Sequence, residues 1–237
     1  MKKSYKMEKV GNKTIYINLA DNTKIEVDSY ENKNMFDVVK ISKKYDMNFI
    51  DYVINNSKND IGEFQVLYEN KELDDLLHSK NFRISTYEYL LKYNYKELKR
   101  YNTYYELDDN AKKYYLKKLN DAAKRNVKYY NPKEKFITIG DDYLIEGYRY
   151  VICKNDNEII GMLDYKLDDE IMYVRNLFSN DEDVSYYMID HLFHKNKKNI
   201  IINISYTDEF VLKVIKNMNG ILREINYVNI DALNSAR

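Results

Sequence analysis

Three histidines, one cysteine and an acidic cluster are the first side chains of this sequence to weigh for metal, nucleophilic or acid–base chemistry. His191 and His194 stand three residues apart, a spacing that puts both on one helical face and can hold a metal. No carboxylate or cysteine completes the set by sequence, so the pair reads as structural and no metal is expected. His78 is the third histidine. Cys153 cannot form an internal disulfide, has no neighbour at metal-ligand spacing, and reads as a buried apolar residue in mid-strand. No Gly-x-Ser-x-Gly elbow supports a serine triad. The six glycines are too scattered for a phosphate-cradling loop or a dinucleotide fingerprint. Asp181, Glu182 and Asp183 precede an apolar helical pattern, where acidic residues serve as caps.

Composition narrows the class. The chain has 237 residues, 44% apolar and 32% charged, which suits a globular protein of one large or two small domains. Its 38 basic residues balance 38 acidic ones, so no net field favours nucleic acid or an anionic membrane, and neither is expected as a partner. Without an apolar leader or a long apolar run, a cytoplasmic location is expected. The 26 tyrosines are spread over many segments and define no single binding face.

The elements that must position any site follow from periodicity. Residues 1–12 are polar and read as loose. Residues 13–19 and 24–30 alternate and flank an Asp21-Asn22 turn, as in a hairpin. Residues 35–54 read as a helix with a break near Asp46. A strand at 64–68, a helix at 71–79 capped by Asn70 and a strand at 84–93 follow. Within 94–131, Leu107, Ala111, Tyr115, Leu119 and Ala122 or Ala123 recur at helical spacing, and Pro132 stops the helix. Strands are predicted at 148–154, 158–167 and 171–178, joined by tight polar turns. A helix at 182–194, an apolar strand at 200–205, a helix at 209–218 capped by Thr207 or Asp208, and a strand at 221–230 complete the chain.

Helix, strand, helix and strand thus occur twice in the same order, about 137 residues apart. The expected fold is α/β, a mixed α+β sheet in two similar halves. The expected divisions are an N-terminal domain over 1–100, a bridging helix over 101–132 and a C-terminal domain over 133–237.

Residues 148–230 resemble the GCN5-related N-acetyltransferase (GNAT) acyltransferase fold. The likeness runs through ICKNDNEIIGMLDY, IMYVRNLFSNDEDVSYYMIDHLF and IINISYTDEFVLKVIKNMNG. The first half resembles only the back part of that fold, over 13–93, as a degenerate copy; Asn32–Met35 stands where its loop would be. The resemblance implies acetyl-CoA as co-substrate, with its pantetheine arm entering where the fourth and fifth strands splay apart. It implies a backbone N–H near Leu177 or Phe178 to polarise the thioester carbonyl. The pyrophosphate would face the start of the next helix, where Asp183, Val184 and Ser185 replace the family's Gly-x-Gly. Asp208, capping the following helix, joins this cofactor-binding set. The tyrosine that often reprotonates the thiolate is absent from the matching position, Ile215 or Lys216, and Tyr206 is the substitute. Glu170 or Asp164 would relay the proton of an incoming amine. The implied activity is acetyl transfer to a primary amine of a small molecule or a protein. The alternative is a decayed scaffold that binds a ligand or protein without chemistry.

Overall fold

The computed structural model describes residues 4–28, 37–57, 61–93, 101–130, 138–141, 144, 147–179 and 181–231. The chain divides into two compact units, Met1–Tyr87 with Leu222–Arg237, and Glu88–Ile221. The chain's last strand is therefore grouped with the first unit, which differs from divisions at residues 100 and 132.

In the first unit, β1 (Tyr5–Val10), β2 (Lys13–Asn18), β3 (Lys24–Asp28) and β4 (Asp37–Ile41) form an antiparallel meander. Helix α1 (Met47–Asn56) leads to β5 (Ile61–Val66), parallel to β4; α2 (Lys71–Ser79) leads to β6 (Phe82–Leu91). The final strand of the chain, β12 (Ile221–Asn229), lies between β5 and β6 and runs antiparallel to β5. Tyr16, Phe49, Phe64 and Phe82 are fully buried in this unit's core.

Two expectations change here. Residues 5–10 are not loose: they pair with β2 residue by residue, from Tyr5 opposite Asn18 to Val10 opposite Lys13. The polar face of an edge strand hides it from an apolar-pattern reading. The helix expected over 35–54 is a strand over Asp37–Ile41 and a helix only from Met47. Asp46 marks the true start, accepting the Asn48 N–H at 2.8 Å. Met35, Phe36 and Asn32–Met35 lie outside the described residues, as does Pro132.

In the second unit, β7 (Asn102–Tyr104) precedes the long helix α3 (Asp109–Tyr130). Then β8 (Arg149–Asn155), β9 (Glu158–Leu167) and β10 (Ile171–Ser179) form an antiparallel meander with β7 at its edge. Helix α4 (Glu182–Asn196), β11 (Asn199–Ser205) and α5 (Glu209–Asn217) follow, with β11 parallel to β10 and the end of β6 on its other side. Each unit is thus mixed α+β, and in each half an antiparallel meander precedes the run strand, helix, strand, helix, strand. Among the described residues, no helix is long and apolar enough to cross a membrane.

Candidate active site

The site begins with one extra residue. The β10–β9 ladder shifts register between Val174 and Asn176, which makes Arg175 a bulge. A bulge bends its strand and tightens the local twist. On the other edge, β10 pairs with β11 from Ile171–Asn199 to Val174–Ile202 and no further. Pairing therefore stops at the residue before the bulge. Beyond it the strands part, and successive N–H groups of a strand point to opposite edges. Every second amide over 176–179 therefore faces the gap rather than β9. The first unit differs: β4 and β5 stay paired to Ile41–Val66, and the Leu67 N–H donates to the Ile41 carbonyl at 3.0 Å.

Arg175 is held from two sides. Its Nε donates to Asp164 Oδ2 at 2.7 Å and its Nη2 donates to the Tyr115 hydroxyl at 2.9 Å. Asn176 Nδ2 donates to the same hydroxyl at 3.0 Å, and the guanidinium lies 4.2 Å from the centre of the Tyr148 ring. Asp164 and Tyr115 are both fully buried. Burial raises the Asp164 pKa, with Arg175 working against the shift. Burial also pushes the Tyr115 hydroxyl far above its usual range, and the nearby Asp164 carboxylate adds to this.

The gap is a slot of about 170 Å³ between 175–178 of β10 and 202–205 of β11, covered by Leu119, Ala122, Ala123 and Asn126 of α3. An outer pocket of about 520 Å³ shares Leu177, Phe178, Asp208 and Val211 with it. On the far lip, Asn126 Oδ1 accepts hydrogen bonds from the Ser205 and Thr207 hydroxyls, and Arg125 lies 3.7 Å from Asp208. Helix α3 thus ties down both lips, Tyr115 on β10 and Asn126 at the end of β11 and just past it.

The helix that follows β10 starts on an acid. Asp181 Oδ1 accepts from the Asp183 N–H at 2.8 Å and the Val184 N–H at 3.4 Å. Glu182 is paired with Lys213 on α5. The amides that would hold a pyrophosphate are occupied, and three carboxylates surround them. The slot fits the uncharged arm of an acyl thioester; this helix start does not fit its phosphates.

The residues singled out from the sequence separate accordingly. Leu177, Phe178 and Asp208 line the slot. Asp208 also caps α5, accepting from the Val211 N–H, and burial raises its pKa. Asp183, Val184 and Ser185 lie on the first turn of α4, where Val184 and Ser185 are buried. Asp164 sits behind the bulge, bound to Arg175. Glu170 is exposed in the turn before β10, at the paired end of the ladder. Seven strand residues at about 3.3 Å each separate it from Leu177, roughly 20 Å. Tyr206 is 36% exposed and packs at a tilt against Tyr129, with ring centres 5.0 Å apart. Arg175, Asn176 and Asn126 were not anticipated; no local pattern marks a bulge. Tyr115 was visible only as a core residue. Among the described residues, no three His, Cys, Asp or Glu side chains gather to hold a metal.

No family model and no curated protein matches the sequence. Solved structures do resemble the fold. A GNAT-family acetyltransferase from Colwellia psychrerythraea is 9% identical over 95% of this chain and 85% of its own, with a TM-score of 0.47. A functionally unknown conserved protein from Staphylococcus epidermidis is 11% identical over 93% and 90%, with a TM-score of 0.46. A GCN5-related N-acetyltransferase from Sphaerobacter thermophilus is 8% identical over 93% and 80%, with a TM-score of 0.45. Likeness at this level does not fix a function, which has to come from the slot itself.

Proposed function

We propose that the second unit is a GNAT-type acyltransferase domain. It takes the arm of an acyl thioester, acetyl-CoA in the simplest case, between β10 and β11, and passes the acyl group to a primary amine of a small molecule or protein. One observation carries this reading: the β10–β11 ladder ends at Val174–Ile202 and leaves edge amides along a slot. In the transfer, the amine nitrogen forms the new C–N bond, the C–S bond breaks, the sulfur keeps its electron pair, and the amine gives up a proton. Slot-facing amides over 176–179 stabilise the negative charge growing on the carbonyl oxygen. Among the described residues, Asp208 is the one carboxylate lining the slot, and its raised pKa suits it to receive the proton. Asp164 and Glu170 are not used: the first is spent on Arg175 and the second stands at the wrong end of β10. The first unit, whose β4 and β5 remain paired, is the degenerate copy of a tandem arrangement.

A decayed scaffold is the second reading, favoured by the acid-capped start of α4 and by Asn126 across the far lip. Two measurements with acetyl-CoA separate them. A donor at 100 times its Kd should stabilise the protein by about 2.7 kcal/mol. Thiol release should depend on an added amine and be lost in Asp208→Asn, since asparagine keeps the cap but not the basicity. A thermal shift without thiol release supports the scaffold. No shift at millimolar acetyl-CoA overturns the donor assignment.

A further inference from the structure

The overall charge balance conceals a strong local excess. Helix α3 carries Lys112, Lys113, Lys117, Lys118, Lys124, Arg125 and Lys128 against only Asp109 and Asp121. Asn110, Tyr114, Lys117 and Lys118 recur at intervals that set them on one helical face. That face lines a groove of about 950 Å³ together with Lys154, Asn155 and Asn157 of the β8–β9 hairpin, Tyr101, and Asp181 and Val184 at the start of α4. We propose that this groove binds the phosphate-bearing nucleoside end of the acyl donor. The proposal rests on the slot being the donor's site and says where the rest of the donor lies.

Three features match that chemistry. Lysine ammonium groups from both the helix and the hairpin suit phosphates. Tyrosine rings offer stacking faces for a base, and asparagine amides can donate to and accept from its edge. The groove adjoins the outer pocket at Lys118, which lines both, and the outer pocket in turn shares four residues with the slot. The start of α4, which lines one part of the groove through Asp181 and Val184, offers phosphates no help, because the Asp181 carboxylate already accepts from the Asp183 and Val184 N–H groups. Glu158 and Asp181 border the groove, and Lys154 pairs with Asp108 at 3.3 Å, so a bound phosphate takes over that contact.

The test titrates adenosine 3′,5′-bisphosphate, which has no acyl arm, into the full-length protein by calorimetry. It should bind, more weakly as salt rises, and Lys117→Glu with Lys118→Glu should reduce affinity tenfold or more. Lys117→Gln with Lys118→Gln should give a smaller loss without charge reversal. S-acetylpantetheine, which lacks the nucleotide, reads the slot alone: Ala123→Phe should abolish its binding and leave the bisphosphate unaffected. An eight-nucleotide oligoadenylate identifies the source of the nucleoside. Tighter binding than the bisphosphate indicates a nucleic-acid carrier, and equal or weaker binding a small-molecule one. Failure of both the bisphosphate and the oligoadenylate to bind, or binding unchanged in both lysine variants, overturns the groove assignment, whatever S-acetylpantetheine does.

Discussion

Substituting Asp164 with Asn removes the charge partner of Arg175 but keeps the size of the side chain. A half-buried guanidinium left without its carboxylate should cost at most about 3 kcal/mol, measured as a drop in denaturation free energy. The double variant Asp164→Leu with Arg175→Met should regain much of that loss, because a well-packed apolar pair replaces the ion pair. It should not regain donor binding, because the bulge loses its anchor. His191 yields a second prediction at this scale. Its Nε2 lies 2.7 Å from the Tyr105 hydroxyl, with Tyr187, Lys195 and His194 around it. Burial lowers its pKa, helped by the charges of Lys195 and His194. A histidine with a lowered folded pKa contributes stability above its unfolded value, near 6.5, and loses it as pH falls through the window down to the folded value. The wild-type Tm should therefore fall more between pH 7.5 and 5.5 than that of His191→Gln. Equal falls would disprove the assignment. At this scale the sequence was legible in part. Leu177, Phe178 and Asp208 were singled out through the family resemblance, and they line the slot. The roles of Arg175, Tyr115 and Asn126 were not legible, because they come from contacts about 60 to 80 positions apart.

Elements depend on close approaches that a single atom can spoil. Gly161 in β9 lies under the first turn of α4, where an added Cβ would come within 2.6 Å of Val184 Cγ1 and 2.9 Å of Met188 Cε. The methionine can move, but the valine on a helix cannot swing away. Gly161→Ala should cost about 1–3 kcal/mol as overpacking, read as a lower Tm, whereas Gly11→Ala should fail through its φ of +61° and not through contact. A glycine inside a strand signals such an approach from sequence alone. Most second-unit elements were legible from apolar patterning, polar turns and capping residues: β9 and the starts of α4 and α5 agree with the structure to the residue. The failures share one cause. Residues 37–41 include three β-branched side chains, Val38, Val39 and Ile41, but stand shortly before a true helix, so periodicity merged the two. Residues 5–10 and 102–104 are edge strands with few apolar positions, and such strands are defined by their partner more than by their own pattern.

At the scale of the whole molecule, the order strand, helix, strand, helix, strand occurs twice, with different pairing of its parallel strands. In the first unit the two parallel strands pair from Asp37–Ile61 to Ile41–Val66 with one register shift after Asp37, and in the second they pair for four residues and then part. Net charge, a property of the whole chain, hid the basic helix for a similar reason: an average cannot show where the charges gather. Amide exchange followed residue by residue tests the central contrast. Amides over 172–174 and 200–202 lie in a two-sided ladder and should exchange only with wider opening of the sheet. Every second amide over 176–179 should exchange at least about tenfold faster, roughly 1.4 kcal/mol less protection, because no strand stands opposite. The first unit should show no such alternation along β4 and β5. A thioester in the slot should slow the fast set of 176–179 and leave β4 and β5 unchanged. Uniform protection along β10 would mean that the strands close in solution, and the slot, its donor and the groove beside it would lose their common foundation.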